Sequence, residues 1–425
     1  MIMKRIKTTR RDFLRVTAAG TIGGPALLAS CSGPGKEGTT IDYSAIDAAM
    51  EQPVLKKELF PDPVIMEKIE LLRFRDNFLC RVTTRDGAEG LSVSNNMHMI
   101  SLYPIFVNRI QPFFTGKDAR FWEKLTGEAY VYQSNYKLQS LALCIPLATL
   151  EFAVLDLLGK ISGRPIGELI GSIHHPHVDV YRANNFRSRP AEESIELIKE
   201  QVEETGARAL KFKVGGRMSN REESPGRTEK LIPRVRETFG EEMVIYADAN
   251  GSYNVEEAVR IGKMMEQYRY DFFEEPVPFD WYEETRRVSG ALEVPVAGGE
   301  QESGMHAFRW LIGNNALEVV QPDIFYFGGM LRSMKVARMA EARGMTCTPH
   351  ISGSGLGYLY MMHFVSALPN AGPYHEFKGF NRDIPMESAT SPLSGENGRV
   401  KVPTGPGMGV TIDPGFIQKH QPVRA

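Results

Sequence analysis

Cysteine is scarce in this 425-residue chain, with four in all. Four scattered cysteines exclude a disulfide framework as what holds the fold. Net charge is almost absent too. The 50 Lys+Arg against 52 Asp+Glu leave −2, which gives no electrostatic reason to expect nucleic acid as a partner. No nucleotide fingerprint, heptad or internal repeat stands out. The glycine-rich run Gly353-Ser354-Gly355-Leu356-Gly357 lacks the Lys of a P-loop and the spacing of a dinucleotide motif. It reads as a loop that lets backbone approach a small ligand. What is present, 42% apolar and 24% charged residues, is globular composition with ample material for a core.

Residues 1–31 read as a targeting signal rather than as fold. Arg10-Arg11 precede a mild apolar stretch from Val16 to Ala29, the pattern of a twin-arginine export signal. Leu28-Ala29-Ser30 sets small residues immediately before Cys31, resembling a lipoprotein whose cysteine is acylated after cleavage. The stretch is short for a membrane span and is broken by Gly20, Gly23, Gly24 and Pro25. The expectation is a periplasmic protein held at a membrane through Cys31, with 32–59 as a polar tether. Cys80, Cys144 and Cys347 sit among apolar neighbours and are expected to be buried free thiols.

The span 60–175 reads as an α+β domain. Ile65 to Phe74 and Asn77 to Thr84 form two strands of a meander, turned at Arg75-Asp76, with a second turn at Arg85-Asp86-Gly87. Gln139 to Lys160 has helical spacing, with Leu150, Val154, Leu157 and Leu158 on one face. His174, His175 and His177 follow in no register that would converge them, so they read as a solvated linker.

From 176 to 377 strands alternate with helices, which implies parallel pairing and an α/β architecture. Short apolar runs end on Lys211 and Lys213, Asp248, Glu274, Glu300, Asp323, His350 and Glu376. After Lys213 these charges fall mostly about 26 residues apart, roughly one βα unit of an eight-fold TIM-type barrel, and such barrels do their chemistry at the C-terminal ends of the strands. The Pro- and Gly-rich span 378–425 is expected to return along the N-terminal domain.

Three successive strands end on Asp248, Glu274 and Glu300. Clustered carboxylates need a counter-charge, and oxygen ligands suit a hard dication such as Mg²⁺. Glu275 competes with Glu274, but adjacent strand residues face opposite sides, so only one can face an ion. Lys211 and Lys213, two apart on one strand, project the same way toward the barrel mouth. Asp323 and His350 end the next two strands, and a carboxylate beside an imidazole makes an acid–base dyad.

These residues together resemble the enolase superfamily, and within it the mandelate racemase-like subgroup, over roughly 64–414. The resemblance implies an enolase-type (β/α) barrel beneath an α+β capping domain completed by the C-terminal tail, which carries Pro403-Thr404-Gly405-Pro406-Gly407. It implies Mg²⁺ on Asp248, Glu274 and Glu300, Lys211 and Lys213 as the base motif, Asp323 and His350 as the dyad, and Glu376 as a protonated carboxyl against the substrate carboxylate. Gln301 stands where the founding racemase has Asn.

The implied chemistry is abstraction of the proton α to a carboxylate with stabilisation of the enediolate. Lys213 and His350 flank the α-carbon. Dehydration of a sugar acid to a 2-keto-3-deoxy acid is the first expectation. Arg182, Asn184 and Asn250 would supply hydrogen bonds to the polyhydroxy chain. A racemase or epimerase of a 2-hydroxy acid is the alternative, and a lipid-anchored binding protein without turnover is the reading of another class. Specificity loops would come from Gly87 to His98 and from Phe106 to Trp122. A small carboxylate is the expected substrate and a homo-oligomer the expected assembly.

Overall fold

A computed structural model describes residues 41–218, 221–353, 355–379 and 384–424. The export signal, Cys31 and the first part of the expected tether lie outside the described residues. From Ile41 onward the chain forms one compact unit.

Much of the remaining tether is not a tether. Ser44–Glu51 is a helix that buries Ile46 and Ala49. These lie three apart, on one face, and pack against the barrel helices Met305–Gly313 and Met330–Glu341. Arg309 clasps Asp47 with both its Nε and its Nη2, the latter at 2.8 Å, and lies 3.8 Å over the ring of Tyr43. The polar composition of 32–59 concealed a single apolar stripe.

The capping domain is built on an antiparallel meander of β1 (Lys68–Phe74), β2 (Asn77–Thr83) and β3 (Glu89–Val93). Near the C-terminus, Gln421 and Pro422 pair with Arg73 and Leu72, so the tail supplies the fourth strand. The helix Leu141–Ser162 lies on this sheet. A Cβ on Gly90 would sit 2.1 Å from the Ala153 carbonyl oxygen, so glycine is what allows the close approach. This helix is long and apolar enough to cross a membrane, but it is buried on nearly all sides between the sheet and the barrel. Its Glu151 accepts a hydrogen bond from Trp122 Nε1 (2.7 Å) and another from Leu331 N (3.1 Å), at the start of Met330–Glu341. A carboxylate of the capping domain thus satisfies an open N–H of a barrel helix.

The barrel strands are β4 (His177–Ala183), β5 (Ala209–Lys213), β6 (Val244–Asp248), β7 (Phe272–Glu274), β8 (Val296–Gly298), β9 (Val319–Val320), β10 (Thr346–Cys347) and β11 (His375–Phe377). Each pairs in parallel with the next from β4 to β10, and β11 pairs in parallel with β4. Cys347 bridges to Ala371, on the approach to β11, which brings the two ends of the sheet together. Period-two alternation divides the strand residues. Tyr181, Ala183, Ala209, Tyr246, Phe272, Ala297 and Val319 fill the interior, while Leu210, Phe212, Ile245 and Phe273 join the larger core beneath the helices.

The span 106–114 differs from the expected loop. Asn96–Ile105 continues through a π-helical turn, Phe106–Ile110, into Gln111–Phe114. Pro104 and Pro112 argue against helix in the sequence. Pro112 falls directly after the π turn, and buried Phe106, Ile110 and Phe114 hold the run in place. His177 lies in β4 and His175 bonds the Leu368 carbonyl (3.1 Å), so the three histidines do not converge on a metal. Cys80, Cys144 and Cys347 are buried free thiols.

Candidate active site

Asp248 ends β6 and Glu274 ends β7, and Glu300 follows β8 by two residues. Parallel pairing places Asp248 directly beside Glu274. One oxygen from each of the three carboxylates lies within 4.8 Å of the others, and the residues are 0%, 0% and 3% exposed. Burial, with Asp248 and Glu300 nearby, pushes the Glu274 carboxyl up against the pull of Lys211. Three all-oxygen ligands crowded out of water are a donor set for a hard divalent cation. Glu275 is not part of the group. The chain turns into the left-handed region at this residue (φ 41°), and its own buried Oε1 has no hydrogen-bond partner among the described residues.

Lys211 and Lys213 both project inward from β5. Lys211 Nζ lies 2.8 Å from both oxygens of Glu274, and Lys213 Nζ is hydrogen-bonded to Asp248 Oδ2. Burial works against the charge on Lys211, but Glu274 and the neighbouring Tyr181, Glu376 and Asp248 outweigh it and keep the amine cationic. Across the mouth, His350 Nδ1 lies 2.8 Å from Asp323 Oδ2, and its Nε2 lies 3.3 Å from Glu300 Oε2. Burial opposes the imidazolium. Glu300, Asp323 and Glu376 overcome that and push the ring up to about 9.

Glu376 departs from the protonated state that the resemblance implied. Burial would neutralise it, but Lys378 at 2.7 Å, with Lys211 and His350, holds it well below the usual carboxylate range. It is therefore an acceptor. Its Oε2, 3.7 Å from His350 Nε2, has no hydrogen-bond donor among the described residues.

A cavity of about 890 Å³ opens onto Lys213, Glu300, His350 and Glu376. Asn250 and Asn185 line it, but Arg182 and Asn184 do not. Tyr181 and Ala183 take the interior face of β4, so alternation turns Arg182 and Asn184 outward. Met97 reaches the cavity from the first expected specificity loop, and no described residue of 106–122 does. Gln301 Nε2 donates to Glu300 Oε1 (2.9 Å), where it steadies the ligand.

Sequence reasoning missed Gln321, whose Nε2 donates to Glu274 Oε2 at 2.8 Å, and Lys378. Each lies two residues from a residue already singled out, Asp323 and Glu376. The same alternation that paired Lys211 with Lys213 would have found both. Arg187, on the loop after β4, had no such signal.

A sequence profile of the family described as Enolase C-terminal domain-like matches residues 193–416. The chain belongs to the enolase superfamily. This superfamily member is 27% identical over 346 residues to the arabinonate dehydratase of Saccharolobus solfataricus, across 80% of this chain and 89% of that one. It is 29% identical to the D-galactarolactone cycloisomerase of Agrobacterium fabrum, across 70% of this chain and 79% of that one. Its fold matches the mandelate racemase/muconate lactonizing protein of Paracoccus denitrificans PD1222, solved in complex with magnesium, at a TM-score of 0.76 and 25% identity. That match covers 85% of this chain and 99% of the other.

Proposed function

We propose that this chain is an acid-sugar dehydratase, which removes water from a 2,3-dihydroxy acid to give a 2-keto-3-deoxy acid. The observation that carries the reading is the pairing of Lys213 and His350 across the carboxylate group, each bonded to one of its members. A protein that only bound its ligand would need no such pair. The named dehydratase among the relatives supports the same reaction class.

Magnesium fits the donor set of Asp248, Glu274 and Glu300, and when bound it would polarise the substrate carboxylate and acidify the adjacent C–H. Lys213, in its amine form, takes the proton from C2. The C–H electron pair forms the C2=C3 bond as the C3–O bond breaks. His350, kept protonated by Asp323, gives its Nε2 proton to the departing hydroxyl, which leaves as water. A hydroxyl is a poor leaving group, so this positioned donor is necessary. The resulting enol tautomerises to the ketone. Lys211 stays charged throughout and offsets negative charge developing at the cavity floor. Glu376, ionised, accepts a hydrogen bond from a substrate hydroxyl. Incubating acid sugars with enzyme and Mg²⁺ and assaying for 2-keto-3-deoxy product tests the reading. Inverted substrate with no keto acid from any active compound would favour a racemase or epimerase instead.

We also propose that the protein is exported by the twin-arginine route and held at the membrane by acylated Cys31. Arg10-Arg11 and the small residues before Cys31 support this.

A further inference from the structure

Five basic side chains line the cavity: Arg187, Lys213, Arg217, His350 and Lys378. Three of them are matched by carboxylates. Lys213 is bonded to Asp248, His350 to Asp323 and Lys378 to Glu376. Arg187 and Arg217 have no ion pair among the described residues. Arg187 is half-buried and pinned. It donates to the carbonyls of Val214 and Gly215, the latter at 3.0 Å, and to Asn250 Oδ1. Arg217 is exposed on the loop that follows β5, four residues beyond Lys213. The cavity thus runs from the buried carboxylate group, past Lys213, His350 and the pinned Arg187, to the exposed Arg217. Glu223 lines the same wall but makes no ion pair with either. It leaves one net positive charge there.

Resting on the dehydratase reading, we propose that Arg217, backed by Arg187, binds a second carboxylate at the far end of the substrate, so that the preferred substrate is an acid sugar carboxylated at both ends. One negative charge matches the one positive charge of the wall, whereas a dianionic phosphate would face Glu223. The planar guanidinium fork also fits a carboxylate in two-bond geometry, with a strength that an exposed lysine does not match. Arg187, fixed by backbone carbonyls, sets the field. Arg217, exposed and without an ion pair among the described residues, makes the contact.

The test pairs each sugar diacid with the monoacid of the same configuration and length, using the Mg²⁺-loaded enzyme and its Arg217→Gln variant. In the wild type kcat/KM for the diacid should exceed that for the monoacid by about tenfold or more. Arg217→Gln should erase that preference through KM, while leaving kcat and the monoacid values within about twofold, and Arg217→Lys should restore part of it. Equal losses for both members of a pair, or no preference in the wild type, overturn the proposal. A phosphorylated monoacid bound as well as the diacid, through Arg217, overturns the carboxylate assignment. Equilibrium binding of the same pairs needs no turnover and separates the two readings. Diacids that bind about tenfold tighter through Arg217 but yield no keto acid would overturn the dehydratase reading and uphold this one. Diacids dehydrated to keto acid with no dependence on Arg217 would do the reverse.

Discussion

Asp323 Oδ2 lies 2.8 Å from His350 Nδ1, and the other oxygen of Asp323 accepts the backbone N–H groups of Phe325 (2.8 Å) and Tyr326 (2.9 Å). The carboxylate is locked from behind, so the imidazole it holds has one orientation and turns its Nε2 toward Glu300 and Glu376. Replacing Asp323 with Asn keeps the shape but removes the charge that favours the imidazolium. The expected result is a loss of about 10²–10⁴ in kcat, with KM changing far less. A variant that kept near-normal kcat would show that His350 is not the acid.

The pH dependence follows from the same ring. His350 is pushed up to about 9; burial, the largest influence, opposes this, and Glu300, Asp323 and Glu376 together outweigh it. The acid must be protonated, so turnover should fall as pH rises through the value that His350 has in the loaded enzyme. A cation on Glu300 takes up much of its charge, so that value should lie below the cation-free one. NMR titration of the His350 ring with and without Mg²⁺ checks the sign. An unchanged or raised midpoint on loading would contradict the placement of the cation.

Lys211 is fully enclosed and its ammonium rests on both oxygens of Glu274. Removing one partner strands the other charge in the core. Glu274→Gln should therefore lower the unfolding free energy by about 3 kcal/mol in addition to abolishing the Mg²⁺-induced rise in Tm. Denaturant unfolding with and without the metal separates the two effects.

Glu151 gives a stability effect with the opposite electrostatic sense. Burial pushes its carboxyl up to about 7, against the pull of the Leu331 and Trp122 donors. A raised carboxyl means that the folded state holds its proton longer, so this group's contribution is full below the unfolded pKa, near 4.5. It is lost as pH rises through about 7, a change on the order of 3 kcal/mol. Unfolding curves at pH 5 and pH 8 for wild type and Glu151→Gln should differ in pH slope, with the variant the flatter of the two. Equal slopes would remove Glu151 from the account.

Ile46, fully buried, fixes the helix Ser44–Glu51 on the barrel. Ile46→Ala should cost about 2–5 kcal/mol if the segment is part of the cooperative fold. A flexible tether would show no change in Tm.

If Cys31 is acylated, mass spectrometry of the N-terminal peptide from the membrane fraction will show it as the first residue, carrying more than one acyl chain, since a single chain holds only marginally. Recovery of Met1, or of unmodified Cys31, would contradict the export and anchoring proposal.

The barrel was legible because its chemistry repeats in phase. Asp248, Glu274, Glu300, Asp323, His350 and Glu376 each close an apolar run, and the structure sets all six on one rim. What stayed hidden depends on which way a side chain turns or on contacts distant in sequence. Arg182 and Asn184 sit at the right strand end but on its outer face. Lys378 was passed over although it lies two residues from Glu376, just past the end of β11, and it decides whether Glu376 donates or accepts. Ser44–Glu51 lies within a polar stretch, and its apolar face of Ile46 and Ala49 gains meaning only when Met330–Glu341 is packed against it.

In the proposed reaction Lys213 takes the α-proton and His350 delivers one to the leaving hydroxyl. The most direct measurement follows an active acid sugar in D₂O by NMR, with wild type and His350→Asn side by side. Wild type should form keto acid carrying deuterium at C3. The variant should form almost none, yet still exchange the C2 proton with solvent, because Lys213 remains. Undiminished keto-acid formation by His350→Asn, or clean inversion at C2 with no keto acid from wild type, would contradict the account.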